Sequence, residues 1–202
     1  MKLEIVMKTA RSITLELDDG GIYETKETYC VVVNGEKRLE TKKVITSVYD
    51  LLPDTDYTIE ILKMSGEKEA ELSFHTDYEF VTLNVRDFGA KGDGVTDDTN
   101  FIQAAILCCP KDSRVLIPAG TYKITSLFLK SDISVELAEG AELFADTVRE
   151  HYAVLPGMIE SYDEKDEYNL GTWEGNPLKM FAGIISGIHV SNVKLYGQGS
   201  IN

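Results

Sequence analysis

Residues 85–99 read Val-Arg-Asp-Phe-Gly-Ala-Lys-Gly-Asp-Gly-Val-Thr-Asp-Asp-Thr. Three glycines within six positions of this stretch predict a tight loop, since glycine adopts backbone angles that other residues avoid. Thr96 or Asp97 is placed to cap a following helix, with the two aspartates at its positive N-terminal end. Apolar residues then recur at helical spacing until Pro110, which cannot continue a helix. We therefore predict one amphipathic helix, whose apolar face would hold Ile102, Ala105, Ile106 and Cys109.

Upstream of this stretch, the chain alternates apolar and polar residues in short runs separated by turn signals. This pattern predicts an antiparallel β-sandwich in which each strand buries one face. Asn34-Gly35 lies between two runs and predicts a tight hairpin, because both residues tolerate the positive φ that such a turn requires. The predicted strands are Ser12–Leu17, Thr28–Val33, Lys37–Thr41, Val44–Leu51, Asp56–Lys63 and Ala70–Thr76.

The spacing Leu-x-Pro-x-Thr-x-Tyr over residues 51–57 predicts a corner between strands. There, Tyr57 would turn its ring inward and bond its hydroxyl to the backbone a few residues upstream. With this motif, residues 1–80 resemble a fibronectin type III domain. The early tryptophan of that fold is missing, so Ile13 or Leu15 would fill its space. Such a module beside an enzyme is a spacer, packing partner or binding module, and we assign it no chemistry.

Downstream of Pro110, short strands follow one another without intervening helices. Turns this small form hairpins or carry a chain around the corner of a coil. The segment Ser131–Leu137 is echoed by Ser191–Gly197, and such self-similarity favours the stacked rungs of a solenoid over residues 81–202. The predicted strands are Val115–Ile117, Thr121–Thr125, Leu127–Leu129, Ile133–Leu137 and Ala141–Phe144.

The overall composition excludes several classes of protein. The 202 residues include 34 acidic and 20 basic side chains, for a net charge of −14, which argues against nucleic acid as a partner because phosphate contacts need clustered Lys and Arg. The apolar runs are far shorter than the roughly 18 residues of a membrane span. Three cysteines without Cys-x-x-Cys spacing predict buried free thiols, no metal site and no cofactor. The N-terminus lacks a signal-peptide pattern, so we expect a cytoplasmic protein, or a secreted one whose leader is missing.

An ordered series of motifs runs through residues 81–202. After the opening stretch come Leu116–Tyr122, Leu127–Ser131, Glu139–Leu143, Thr172–Gly175 and Gly197–Asn202. In this order they resemble the opening of glycoside hydrolase family 28, the polygalacturonase family, whose fold is a right-handed parallel β-helix of the pectin lyase type. The predicted fold class is therefore all-β, with a fibronectin type III-like sandwich followed by the first rungs of that β-helix and one N-terminal capping helix.

The resemblance implies hydrolysis of α-1,4-linked galacturonic acid in pectin with inversion, in which one carboxylic acid protonates the leaving oxygen and other carboxylates activate water. In the family these aspartates lie in Asn-Thr-Asp, Asp-Asp and Gly-His-Gly motifs, and an Arg-Ile-Lys binds the substrate carboxylate, all downstream of the element at Gly197–Asn202. Asp97 and Asp98 belong to the opening motif instead. His189 does not match the catalytic histidine, and we place it in a rung or turn. We therefore expect a truncated chain with no catalytic residue, inactive by itself.

The insertion from about Thr147 to Met180, between the echoing rungs, is the remaining place for substrate contact. Its acidic run Glu160–Glu167 predicts a solvated loop. Trp173 offers a flat apolar face on which a sugar can stack, with Glu174 beside it. Alternatively, Trp173 anchors the loop on the coil and Glu174 is a hydrogen-bonding loop residue. The Trp-Glu-Gly element and the preceding module are similar to bacterial family members that act on chain ends, although Thr172 stands where an arginine often precedes the tryptophan.

Two other functions remain open. One is a noncatalytic polysaccharide-binding β-helix of the tailspike or adhesin kind. The other is a polysaccharide lyase, which would require calcium and a basic residue placed for proton abstraction. We expect a pectic polysaccharide or oligogalacturonide as the partner. Because a coil cut between rungs exposes unpaired strand edges, self-association through its open end is also expected.

Overall fold

The computed structural model describes residues 1–160, 165 and 167–202. These residues divide into two compact units, Met1–Glu79 and Phe80–Asn202. Each unit has a buried apolar core of its own. No helix in the described part of the chain is long and apolar enough to cross a bilayer.

The first unit is a β-sandwich. Its strands are β1 (Lys2–Lys8), β2 (Ile13–Asp18), β3 (Glu24–Val33), β4 (Glu36–Lys43), β5 (Ile45–Val48), β6 (Asp56–Lys63) and β7 (Lys68–His75). They form two antiparallel sheets, ordered β1-β2-β5 and β4-β3-β6-β7. Alternate residues of these strands face the space between the sheets, where Val31, Ile59 and Ile61 are fully buried. Ile13 and Leu15 are also fully buried, so they fill the core in which no tryptophan is present.

Two turns of the sandwich were predicted from sequence and are confirmed. Asn34 (φ 49°) and Gly35 (φ 83°) form the left-handed pair between β3 and β4. The Tyr57 hydroxyl accepts a hydrogen bond from the Leu52 N–H at 2.9 Å, five residues upstream. The Tyr57 ring stacks on Phe74, with 5.7 Å between the ring centroids. The corner therefore holds β6 and β7 together at one end of the sandwich.

Strand β1 was not predicted. It pairs with β2 in antiparallel register, with an irregularity between Ile5 and Met7. Ile5 and Val6 are both exposed, at 44% and 54%. Because these neighbouring apolar residues do not alternate between core and solvent, the period of two that marks the other strands is missing here.

The second unit is a coil of parallel strands. Its strands are β8 (Thr82–Asn84), β9 (Asp93–Asp97), β10 (Arg114–Ile117), β11 (Gly120–Ile124), β12 (Leu127–Phe128), β13 (Ile133–Leu137), β14 (Ala141–Ala145), β15 (Val154–Leu155), β16 (Met158–Ile159), β17 (Tyr168–Asn169), β18 (Thr172–Trp173), β19 (Asn176–Pro177), β20 (Met180–Phe181), β21 (Ile185–Ser186), β22 (Val193–Gly197) and β23 (Ser200–Ile201). Three parallel sheets, ordered β22-β13-β10-β8, β23-β14-β11-β9 and β12-β21, succeed one another around the coil. This arrangement is a parallel β-helix, as predicted.

The two echoing sequence segments lie side by side on neighbouring rungs. β13 and β22 pair in the register that the echo predicts. Asp132 (φ 55°) and Asn192 (φ 53°), which precede these strands, both adopt the left-handed conformation, and Asn192 Nδ2 donates to Asp132 Oδ1 over 2.7 Å. Asp112 (φ 55°) stands at the equivalent position before β10. Short polar side chains tolerate this backbone conformation, so the same corner recurs on successive rungs.

Two short 3-10 turns span Val85–Phe88 and Arg149–His151. Helix α1 (Thr99–Cys108) packs against the first rungs of the coil. Its inward face is the predicted one, with Ile102, Ala105, Ile106 and the following Cys109 buried. The prediction of buried thiols is confirmed for Cys30 and Cys109 and is wrong for Cys108. Cys108 is exposed because it lies off the face that carries the buried residues of α1.

The aspartates of the opening motif hold the glycine loop and the helix together. The fully buried carboxylate of Asp98 accepts hydrogen bonds from the Lys91 N–H (2.7 Å) and the Gly92 N–H (2.9 Å). Asp97 accepts from the Thr99 N–H at 3.0 Å, at the first residue of α1, which confirms the predicted capping role for Asp97. Both acids therefore serve the local fold.

Strand β9 begins inside the predicted glycine loop. Gly92 (φ 61°) and Gly94 (φ 75°) adopt left-handed angles on either side of the start of that strand. At Gly92 a Cβ atom would lie 2.8 Å from the ring of Tyr122, so only glycine fits there. The Arg86 guanidinium lies 5.6 Å from the centroid of the same ring.

Candidate functional site

An arm, residues 147–183, leaves the coil after β14 and returns to it at β21. Its strands pair in antiparallel fashion, β15 with β20, β16 with β17 and β18 with β19. Since the rungs of the coil pair in parallel, the arm is a separate substructure carried by the coil. Of the acidic run Glu160–Glu167, which we predicted as a solvated loop, residues 161–164 and 166 lie outside the described residues.

Asp146 fixes the root of the arm to the coil. Its carboxylate accepts hydrogen bonds from the Val148 N–H (2.8 Å) and from His151 Nδ1 (2.9 Å), and it pairs with Lys123 Nζ at 3.1 Å. The Tyr152 hydroxyl donates to the Asp146 carbonyl over 2.8 Å. The hydrogen bond from His151, followed by those from Val148 and Lys123, holds the pKa of Asp146 well below its usual range. The carboxylate therefore stays ionised and connects strand β11, which carries Lys123, to the arm.

Trp173 and Glu174, the predicted substrate-contact residues, belong to a hairpin of the arm. β18 pairs with β19, and the turn between them consists of Glu174 (φ 50°) and Gly175 (φ 84°). Both φ values are positive, as a type I′ hairpin turn requires, which explains the glycine of the Trp-Glu-Gly element. Trp173 is 69% exposed, so its ring does not pack onto the coil. Glu174 is also exposed, and the contact of both residues with substrate stays a prediction.

The arm exposes more apolar surface than Trp173 alone. Every residue from Thr172 through Phe181 is exposed, and the large apolar members besides Trp173 are Leu178 (50%), Met180 (39%) and Phe181 (41%). The Arg149 guanidinium lies 5.8 Å from the centroid of the Phe181 ring. Contiguous apolar surface next to polar groups is typical of sites that bind a ligand or a partner.

His189 lies in a turn, as predicted, with φ 53°. Its ring stacks on that of Tyr168 in the arm, with 4.1 Å between the centroids. This stacking holds the arm at a second place. His189 follows His151, the last residue at the root of the arm, by 38 residues. Sequence reasoning did not find the cluster around Asp146, because its members come from different rungs and carry no motif.

No group of three or more His, Cys, Asp or Glu side chains within residues 1–160, 165 and 167–202 is arranged to hold a metal ion. The aspartates of the opening motif, Asp93, Asp97 and Asp98, instead accept hydrogen bonds from backbone N–H groups.

Comparison with known proteins identifies a family model and several relatives that match part of the chain. Residues 82–136 match the family model described as rhamnogalacturonase A/epimerase, pectate lyase-like. An exo-poly-alpha-D-galacturonosidase of Dickeya chrysanthemi is 34% identical over 131 residues, which cover 59% of this chain and 19% of the relative. Alginate lyase 7 of Azotobacter vinelandii is 36% identical over 107 residues, covering 46% of this chain and 12% of the relative. The chain thus spans about a fifth or less of the length of these relatives.

A solved structure shares the fold over nearly the whole chain. The family 28 exopolygalacturonase of Yersinia enterocolitica matches with a TM-score of 0.65 and 24% identity, covering 99% of this chain and 40% of that protein. The all-β fold class with a right-handed parallel β-helix is therefore confirmed.

Proposed function

The chain belongs to glycoside hydrolase family 28 and corresponds to a partial, N-terminal portion of its members. We propose that it is the N-terminal segment of an enzyme that hydrolyses α-1,4-galacturonosyl linkages in pectin. The observation that carries the proposal is the 34% identity over 131 residues to an exo-poly-alpha-D-galacturonosidase. The same relative supports attack at chain ends. The reaction class is inverting hydrolysis, which uses a carboxylic acid and an opposed carboxylate with water between them.

The 202 residues alone are proposed to be inactive. No Asn-Thr-Asp, Gly-His-Gly or Arg-Ile-Lys motif occurs in the sequence. Asp97 and Asp98, which form its Asp-Asp pair in the opening motif, are engaged by backbone N–H groups of α1 and the glycine loop. A general acid must be free to reach the leaving oxygen, so neither side chain suits that role.

The sandwich is proposed to be a fibronectin type III-like module. The sheet orders β1-β2-β5 and β4-β3-β6-β7 and the Tyr57 corner support this assignment. It stands before the coil as an independently packed unit with its own core.

Trp173 is proposed to bind a galacturonosyl ring of the substrate, with Glu174 as a polar contact beside it. The exposed ring stands beside the two-residue turn of a paired hairpin, where a sugar can reach it. In the complete enzyme, Trp173→Ala should raise KM about two- to tenfold, the range expected for the loss of one aromatic stacking contact, while the melting temperature stays unchanged. Trp173→Phe should restore most of the affinity. Val154→Ala, which trims another exposed apolar residue of the arm, is the matched control.

Reducing-end release from polygalacturonate, with masses of the products, tests the reaction class. The longest reading frame that contains this chain should release saturated mono- or digalacturonate, and the 202-residue chain should release nothing. A ladder of longer products would show attack within the chain. Release of saturated products by the short chain would overturn the proposed inactivity.

The second candidate function is a polysaccharide lyase, which the similarity to alginate lyase 7 favours. A lyase cleaves by elimination and leaves an unsaturated sugar at the new end. Unsaturated products from the longer protein would therefore replace the first proposal with this one. Binding without any product would instead support a noncatalytic polysaccharide-binding β-helix.

A further inference from the structure

The arm carries an arginine, Arg149, whose guanidinium has no acceptor among the described residues. The other four arginines of the chain donate hydrogen bonds to carboxylate or carbonyl oxygens: Arg11 to Glu79, Arg38 to the Tyr49 carbonyl, Arg86 to the Lys91 and Ala119 carbonyls, and Arg114 to Glu136. Within residues 1–160, 165 and 167–202, the exposed guanidinium of Arg149 forms neither a hydrogen bond nor an ion pair. Its five N–H groups are therefore available to a ligand.

The backbone that carries Arg149 is tied to the coil. Arg149–His151 forms a 3-10 turn in which the Arg149 carbonyl accepts the Tyr152 N–H at 3.1 Å. On either side of Arg149, the Val148 N–H and His151 Nδ1 both donate to the buried carboxylate of Asp146, at 2.8 and 2.9 Å. The base of the Arg149 side chain is thus fixed at the root of the arm.

The far end of the Arg149 side chain is held as well. The guanidinium carbon lies 5.8 Å from the centroid of the Phe181 ring. Phe181 belongs to β20, which pairs with β15 in the arm, so the ring is carried by a strand pair. A cation over an aromatic face is attracted by the negative charge of that face. Because this contact already restricts the arginine, a ligand that binds it has less ordering to impose.

The charge of Arg149 is the one at the root of the arm that remains uncompensated. The other basic side chains there, Lys123 and His151, are both engaged by Asp146. Glu150 follows Arg149 in the chain, but consecutive residues of a helical turn do not face each other. The chain has a net charge of −14 and as a whole repels a polyanion. A polyanionic substrate therefore needs a local, unpaired cation of this kind.

We propose that Arg149 is an anchor for a carboxylate of the galacturonan chain and selects the acidic polymer over its methyl ester. The planar guanidinium can donate two parallel N–H groups to the two oxygens of one carboxylate, whereas an ester offers no charge. The inference rests on the proposed function, because it takes the substrate to be a galacturonan. It assigns to Arg149 a contact separate from the stacking proposed for Trp173.

The test measures binding to the 202-residue chain by NMR. The probes are trigalacturonate and the same trisaccharide with its carboxyl groups methyl-esterified, which keeps the sugar rings and removes the charge. At pH 6, trigalacturonate should shift the Nε–H signal of Arg149, assigned by its loss in Arg149→Met, with a roughly millimolar Kd. The ester should bind about three- to tenfold more weakly, between the losses expected for an exposed ion pair and for a charged hydrogen bond.

Variants separate a specific contact from a general effect of charge. Arg149→Met should weaken binding of trigalacturonate by a similar factor and leave binding of the ester unchanged. Arg149→Lys keeps the charge without the planar fork and should retain part of the affinity. Arg38→Met is the matched control, because it removes the same charge from an exposed arginine of the sandwich and should leave the affinity unchanged. Melting temperatures of the Arg149 variants should equal that of the wild type.

The titration and the product analysis can fail separately. Unsaturated products from the longer protein would overturn the proposed hydrolysis and leave the binding of trigalacturonate at Arg149 intact. Three results would overturn the anchor. They are an Nε–H signal that does not move with trigalacturonate, equal affinity of the wild type for trigalacturonate and its ester, and equal losses of affinity in Arg149→Met and Arg38→Met.

Discussion

Replacing Asp98 by alanine should destabilise the coil far more than replacing its neighbour Asp97. Asp98 is fully buried, and its two carboxylate oxygens accept the N–H groups of Lys91 and Gly92 at 2.7 and 2.9 Å. Asp98→Ala leaves both donors without an acceptor. At about 1 to 3 kcal/mol for each unsatisfied buried donor, the loss is about 2 to 6 kcal/mol in the free energy of unfolding.

Asp97→Ala is the matched comparison in the same motif. Asp97 is exposed and accepts the Thr99 N–H at 3.0 Å, so its replacement costs only a helix cap, about 0.5 to 2 kcal/mol. Asp98→Asn should fall between the two variants, because the amide has the shape of the carboxylate but can accept only one of the two N–H groups.

Hydrogen exchange measured by mass spectrometry separates the coil from the sandwich. Peptides from β10 to β14 should lose protection in Asp98→Ala, while those from β2, β3 and β6 serve as an internal reference, since the sandwich has its own core. Equal effects of Asp97→Ala and Asp98→Ala, or unchanged protection in the second, would refute the claim that the buried carboxylate holds the glycine loop.

Two further predictions concern pH and self-association. The hydrogen bonds that His75 donates to Asp54 and Asp56 raise its pKa above the ordinary value of about 6.5. The stability that this group contributes is therefore full below that value and is lost as pH rises through the folded-state pKa. Denaturation of the wild type and His75→Gln across this range, with an NMR titration of His75, checks the sign, and a folded-state pKa at or below 6.5 would contradict it. The 202-residue chain should also self-associate through the last described rung of the coil, which exposes the apolar side chains of Leu195 (39%) on β22 and Ile201 (46%) on β23. Light scattering over a concentration series measures this, and a sharp monomer at high concentration would count against it.

Several features of the fold could be predicted because they depend on residues close together in the chain. The Asn34-Gly35 turn, the Tyr57 corner and the apolar face of α1 each follow from local spacing and backbone preference. The stacking of β13 on β22 was also visible, since the same corner and strand recur 60 residues apart. Strand β1 escaped this reasoning because its apolar residues lack alternation.

The sequence by itself therefore determined the helix and most strands of the two cores, in their order along the chain, since hydrophobic period and turn chemistry act over a few residues. Only the tertiary structure decided which side chains meet. Lys123 and Asp146 come together because β11 and β14 are neighbours in one sheet, and Thr58 and Ser73 because β6 and β7 are paired in a particular register. Strand register depends on the packing of whole sheets, and a shift of one residue would turn these side chains to the opposite face. For that reason the cluster around Asp146 at the root of the arm leaves no local signature in the sequence.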